Sequence, residues 1–145
     1  MKKNLVVFFK NKIYRFEIRF HESTKVADQE IEPEFYLKYS LEHNVYNGTH
    51  FEMEVILKEL EGLNHFEKIH IHISSKNGKK YICWTGQLMA ESQAVLVAKM
   101  WCAGSVYTII YGEDFVLLFE RYNVNFEDFE KMIEILNNEF KILVL

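Results

Sequence analysis

The sequence has few of the residues that interrupt or cross-link a chain: one proline, six glycines and two cysteines among 145 residues. So few breakers argue against long flexible linkers, and the length is the usual size of one domain. We therefore predict a single domain over residues 1–145. Hydrophobic residues make up 49% of the chain and aromatic residues 15%, which excludes a disordered polypeptide.

The cysteine and membrane signals are weak. Cys83 and Cys102 lie in apolar stretches and are not spaced as a metal-binding pair, so we expect free, buried thiols in a reducing compartment. No run reaches the roughly 18 apolar residues that span a bilayer. After Lys2 and Lys3, the short apolar run Leu5–Phe9 indicates a strand and not a signal peptide. These features predict a cytoplasmic protein without a membrane partner.

Sequence motifs that carry known chemistry are also missing. Glycine-rich phosphate loops, G-x-S-x-G, C-x-x-C, H-E-x-x-H and calcium-loop patterns do not occur. The sequence therefore predicts no cofactor, and it favours binding over catalysis.

Alternating apolar and polar residues predict most of the strands. A first hairpin would run from Leu5 through a turn at Lys10-Asn11-Lys12 into a strand whose buried side chains are Tyr14, Phe16, Ile18 and Phe20. A second would pair a strand carrying Ile69, Ile71 and Ile73 with residues 81–84, through the turn signal Asn77-Gly78. Residues 141–145 would form a terminal strand.

Three helices are predicted from spacing and caps. Thr49 and Glu52 have the separation of a capping box, which predicts a helix through Leu63 that ends near Gly62. Asn125 would cap a second helix, whose buried face is Phe126, Phe129, Met132, Ile133, Ile135 and Leu136. Pro33 would open a short helix over 35–41, after a loop or edge strand at 21–34.

The most apolar part of the chain, residues 94–119, has two interpretations. Strands near 93–102, 105–112 and 115–121 are favoured, while a buried helix over Ala90–Met100 is the alternative to the first of them. With either choice the pattern predicts an α+β fold, with a largely antiparallel sheet of about six to eight strands and two or three helices packed on it.

Charge is distributed in alternating blocks along the chain. Residues 1–20 carry a net charge of +5, 21–61 carry −7, 62–112 carry +3 and 113–139 carry −6, within an overall −4. The acidic blocks argue against nucleic acid as a partner, since a binding protein for it needs a broad basic surface.

One acidic segment is followed by aromatic residues and is our predicted partner-binding site. Carboxylates recur at every second position, where an extended chain puts them on one side. The predicted site is Asp28, Glu30, Glu32, Glu34, Phe35 and Tyr36, with Glu113 and Asp114. Clustered carboxylates beside aromatic anchors suit a basic protein surface.

This small, acidic, Phe- and Tyr-rich chain resembles the immunity proteins of bacterial polymorphic toxin systems, including contact-dependent growth inhibition. The resemblance is carried by Asp28 to Tyr36, Glu113-Asp114 and Glu127 to Glu130. It implies a cytoplasmic inhibitor that binds one cognate toxin, often a basic nuclease, and covers its active site.

Two alternatives belong to other classes. His70 and His72 are two residues apart, so on a strand their imidazoles share a face and could hold a metal of a small enzyme, with a third ligand from His21, His43 or His50. The apolar 94–119 region could instead form a subunit interface in an oligomerising domain. A homo-oligomer is thus compatible with the sequence.

Overall fold

In the described part of the computed structural model, six strands form one antiparallel sheet, and three α-helices form a layer packed against it through the longest of them. The structure describes residues 2–23, 50–56, 62–73, 78–83, 91–125 and 128–145, with only the backbone described at 21–23 and 50–52. The strands are β1 (Lys2–Phe9), β2 (Lys12–Ser23), β3 (His50–Ile56), β4 (Ile71–Ile73), β5 (Lys80–Ile82) and β6 (Lys141–Val144). The helices are α1 (Glu91–Tyr111), α2 (Phe115–Arg121) and α3 (Phe129–Leu136), and a single 3-10 turn spans Phe66–Lys68. The predicted α+β class is confirmed.

The sheet order is β4-β5-β3-β2-β1-β6. The predicted first hairpin is confirmed, with Leu5 opposite Phe16 and Val7 opposite Tyr14. Lys10 in its turn has a φ of 52°. On β2 the predicted inward side chains Phe16, Ile18 and Phe20 are buried, and β2 runs further than predicted, to Ser23.

The shorter strands agree with the sequence in part. β4 pairs with β5 as predicted, and β6 forms the terminal strand against β1. Ile69 is buried beside β4, but Ile73 is 61% exposed, so the buried row of isoleucines stops before the strand ends. Asn77, Trp84 and the predicted helix over 35–41 lie outside the described residues.

The helix predicted from the capping box at Thr49 is wrong. Residues 50–56 form β3, which pairs with β2 so that Val55 faces Ile18 and Met53 faces Phe20. Both side chains are buried. Seven residues are too few for spacing to separate a helix from a strand, and here the free edge of β2 provides the backbone partners. Tertiary pairing therefore overrides the local signal.

The three strands predicted within 93–121 are also wrong. One 21-residue helix, α1, occupies most of this region, and α2 follows it. The alternative prediction, a buried helix over Ala90–Met100, gives the correct kind of element for the start of this region. Its buried residues lie on every side of the helix: Ala94, Val97, Ala98, Met100, Trp101, Cys102, Ala103, Gly104, Ser105, Val106, Thr108 and Ile109. A helix that is enclosed all round shows no amphipathic period.

Among the described residues, α1 is the one helix long and apolar enough to cross a membrane by length and composition. In this fold 67% of its apolar window is buried inside the molecule. It contacts β1, β2, β3 and β6 on one side and α2 and α3 on another. This is the environment of a core helix, and the apolar region that was an alternative subunit interface forms the chain's own core.

The last helix is confirmed, but its cap is not the predicted one. α3 begins at Phe129, and Asp128 Oδ1 accepts a hydrogen bond from the Lys131 amide at 3.1 Å. Asn125 instead accepts the Asp128 amide through its carbonyl, at 2.9 Å. Met132, Ile133 and Leu136 are buried as expected, while Phe126 lies outside the described residues.

The cysteines differ from each other. Cys102 is fully buried, as predicted, whereas Cys83 is exposed, which corrects the expectation that both are buried; both are free thiols. Cys83 follows Ile82, the buried last residue of β5, so alternation directs its side chain to the other face of the sheet. Burial raises the pKa of the Cys102 thiol well above its ordinary value.

We predict that Gly104→Ala destabilises the protein. In an exposed helix this change stabilises by about 1 kcal/mol, but here the new Cβ would lie 2.6 Å from Cγ of the Phe115 ring. Overpacking of this kind costs about 1–3 kcal/mol, so urea unfolding should show a net loss of stability. Gly62→Ala is the matched control, because a Cβ there meets nothing within 4 Å. An increase in stability for Gly104→Ala would contradict the close packing of α1 on α2.

We also predict that Thr108→Val stabilises the protein by about 1 kcal/mol, since it removes a buried hydroxyl that has no partner among the described residues. Thr108 Oγ1 is buried and has no hydrogen-bond partner within the described part of the chain. Valine keeps the shape of the side chain. Thr108→Ser keeps the hydroxyl and loses a methyl group, so it should destabilise in the same unfolding assay. Equal effects of the two changes would show that the hydroxyl is satisfied.

Candidate functional site at the α1–α2 turn

The turn between α1 and α2 holds Glu113 and Asp114, the two predicted partner-binding residues that the structure describes. α1 ends at Tyr111, and Gly112 has a φ of 70°, which reverses the chain. Asp114 then caps α2, since its Oδ1 accepts the Val116 amide at 2.9 Å. The rest of that predicted site, residues 28–36, lies outside the described residues.

The segment before β4 packs closely on this turn. Lys68 Nζ donates to the Gly112 carbonyl at 2.7 Å. A side chain on Gly112 would lie 2.9 Å from His65 Nε2, so only glycine fits between the two segments without a shift. The turn is thus held against a part of the chain more than 40 residues earlier in sequence.

Asp114 also binds His70, one of the two predicted metal ligands. His70 Nε2 lies 2.8 Å from both Oδ1 and Oδ2 of Asp114. An ionised carboxylate only accepts hydrogen bonds, so Nε2 carries the proton. The Phe115 ring stands edge-on to the imidazole at 5.2 Å, and Trp101 Nε1 donates to the His70 carbonyl at 2.7 Å. Ring, carboxylate and backbone are therefore all fixed in place.

Glu113 forms a second pair, with Arg121 at the end of α2. Arg121 Nη1 donates to Oε1 at 2.6 Å and Nη2 to Oε2 at 3.1 Å, and the Tyr107 hydroxyl donates to Oε2 at 2.9 Å. Arg121 first, and Tyr107 second, hold the pKa of Glu113 below its ordinary value. Burial and the bond to Glu113 raise the pKa of Tyr107. The pair joins the two ends of α2 to α1.

Both described carboxylates of the predicted site are therefore engaged within the chain. Glu113 is matched by Arg121, and Asp114 is matched by His70 and by the start of α2. Both carboxylates are half-buried, and these contacts order the turn between α1 and α2. The exposed carboxylates of the same acidic block lie on α2, on α3 and beside them: Glu120, Asp128, Glu130, Glu134 and Glu139. Asp128 and Glu130 belong to the segment that carries the resemblance, and no sequence pattern singles out the other three as site residues.

The predicted histidine pair is divided by the structure. The imidazole of His70 is bound to Asp114, whereas His72 is exposed and lies opposite Tyr81 on β5. In the described ranges, no group of three or more His, Cys, Asp and Glu side chains is placed to hold a metal ion. The side chains of His21, His43 and His50, the proposed third ligands, lie outside the described residues.

His70 also faces Cys83 across the two strands, since the Cys83 amide donates to the His70 carbonyl at 3.4 Å. No hydrogen bond joins the Cys83 thiol to an imidazole in the part of the chain described. A His–Asp pair can act as an acid–base relay only when a nucleophile or substrate reaches the imidazole. The described residues supply the pair without that nucleophile.

Comparison with protein-family models, curated proteins and solved structures finds no match to this chain. Its function is therefore inferred from its own residues.

We predict that Glu113→Gln removes a pH-dependent part of the stability. A carboxylate whose pKa is lowered on folding stabilises the protein above its unfolded pKa, and this contribution is lost as the pH falls through the folded pKa. The stability difference between wild type and variant should thus be present at pH 7 and shrink between about pH 5 and pH 3. Thermal unfolding across this range measures it. Glu120→Gln, an exposed neighbour on α2, should leave the pH profile unchanged; a profile altered equally by both would contradict the Arg121 pairing.

Proposed function

We propose that this protein is an immunity-type inhibitor that binds a basic, nuclease-like toxin domain in the cytoplasm through an acidic surface. The observation that carries the proposal is the excess of exposed carboxylates on α2, on α3 and beside them. Among the described residues of α2, α3 and their flanks 122–125, 128 and 137–139, exposed carboxylates outnumber exposed cations, which are Arg121 and Lys131. Arg121 is already engaged by Glu113.

Two large apolar side chains are also exposed on α2 and directly after it. Leu117 on α2 is 46% exposed, and Tyr122, the residue that follows the end of α2, is 58% exposed. Leu117 and Glu120 are three positions apart, so they are neighbours on the surface of the helix. An aromatic or aliphatic anchor framed by carboxylates is the arrangement expected of a surface that meets a basic protein.

Glu139 differs from the other exposed carboxylates because it accepts the Tyr111 hydroxyl at 2.6 Å. This bond raises the pKa of Tyr111 to about 12, so the phenol stays protonated under physiological conditions. Tyr111 is itself 48% exposed. Within the proposal the pair presents an ordered carboxylate at the edge of the acidic surface.

The inhibition would be steric and electrostatic. A nuclease binds phosphates through basic side chains, and carboxylates held on a folded surface can occupy the same positions. In this proposal Glu113 and Asp114 order the turn from which α2 starts, and α2 and α3 make the contact. The acidic segment 28–36 remains predicted as a second part of the surface.

The test is binding to a basic toxin domain encoded beside this gene, with protection of growth as the functional readout. The variant is Glu130→Lys with Glu134→Lys, two exposed positions on α3. We expect Kd to rise by at least about tenfold and protection to fall, since each reversal replaces an attraction with a repulsion. The wild-type association rate should also drop with added salt.

The matched control is Glu67→Lys with Glu91→Lys, which changes the net charge equally at two exposed positions outside the acidic block. It should change Kd by no more than about twofold. The quadruple change of Asp28, Glu30, Glu32 and Glu34 to Lys tests the second part of the surface. If neither acidic variant weakens the complex more than the control does, the acidic surface is not the docking site.

A further inference from the structure

A cavity of about 530 Å³ lies where the β1–β2 turn approaches the last turns of α1. This volume is within the range of about 300–1,000 Å³ typical of small-molecule sites. Its wall is apolar and comes from three separate segments: Phe9 on β1, Ile109 and Ile110 on α1, and Leu63. Phe9 and Ile109 are nearly buried, and Leu63 is 36% exposed.

The charged groups at this cavity all have one sign. Lys10 and Lys12 line it, together with the neutral Asn11 and Asn64, and no acidic side chain does so among the described residues. Both lysines are exposed, and no ion pair joins either of them to another residue that the structure describes. Lys10 Nζ stands 5.2 Å from the centre of the Phe9 ring, so the ammonium group is held beside the apolar wall.

A second cavity, on the opposite face of the sheet, lacks this asymmetry. It measures about 480 Å³ and is lined by Arg15 and Glu17, whose charges are opposite. A site with both signs has no preference for an anion. The combination of an apolar wall and a rim whose described charges are all positive therefore distinguishes the cavity at the β1–β2 turn.

We propose that this cavity binds a small amphipathic organic anion, with its apolar body against Phe9, Ile109 and Ile110 and its negative end at Lys10 and Lys12. An apolar body alone would leave the ammonium groups unmatched, and an inorganic anion alone would leave the wall exposed. A chain or ring with one carboxylate or sulfonate satisfies both parts. None of the residues that line this cavity belongs to α2 or α3, and the proposal does not depend on the toxin-binding proposal.

The probe is 8-anilinonaphthalene-1-sulfonate, an apolar anion whose fluorescence rises in apolar surroundings. We expect saturable binding to the native full-length chain, with one site. Decanoate should displace the probe, whereas decylamine and inorganic phosphate at the same concentration should not. Displacement by decylamine as strong as that by decanoate would overturn the assignment of the positive rim, and displacement by phosphate would overturn that of the apolar wall.

The variant Lys10→Gln with Lys12→Gln should weaken probe binding about three- to tenfold, as expected for the loss of two exposed ionic contacts. Lys131→Gln with Lys99→Gln is the control, because neither lysine lines the cavity. Circular dichroism and the unfolding midpoint confirm that both variants fold. Absence of saturable binding to the wild type, or equal affinities of the two folded variants, would show that the cavity is not an anion site.

Discussion

The burial of α1 is the constraint on which the rest of the structure depends. The helix carries apolar residues on all sides and needs cover on all sides, because exposed apolar area costs about 25 cal/mol per Å². The sheet supplies one side and α2 and α3 supply another. Trp101 shows the fit in detail: its ring meets Phe16 edge-on at 5.8 Å, and its Nε1 is satisfied by the His70 carbonyl. A buried indole of this kind removes a large apolar area from water, and its hydrogen bond fixes the orientation of the ring.

The candidate site follows from the length of that helix. Twenty-one residues bring the chain to the point where Gly112 meets the segment 65–70. The close approach leaves room for short polar contacts and none for side chains at Gly112. As a result, Asp114 meets His70 and Glu113 meets Arg121. These pairs engage Glu113 and Asp114, two of the carboxylates that the sequence predicts to be available to a partner.

Exposed charges of opposite sign lie on different elements of the described structure. The helical layer exposes carboxylates at Glu120, Glu130 and Glu134, while the turn of the first hairpin exposes Lys10 and Lys12. Such a molecule orients in the field of a charged partner during encounter. The two proposals use charges of opposite sign, with a basic protein at the helices and a small anion at the hairpin turn.

The sequence by itself determined the elements that are buried on one face only, because these show a clear periodicity of apolar residues. The hairpin of β1 and β2 alternates because one face of the sheet is buried, and α3 has helical spacing because one stripe of it is buried. Where burial is complete or the segment is short, periodicity carries no such information. The sequence therefore favours strands where α1 lies. It favours a helix where β3 lies, because the capping pattern is a stronger signal than the alternation of seven residues.

Only the tertiary structure decided the pairings. β3 is a strand because β2 had a free edge in register with it, and His70 meets Asp114 although they are 44 residues apart in sequence. No local sequence pattern predicts a contact between residues so far apart in sequence, since the contact forms only when α1 packs. The same holds for the exposed carboxylates. Their number follows from the sequence, but which of them are exposed to solvent depends on the fold.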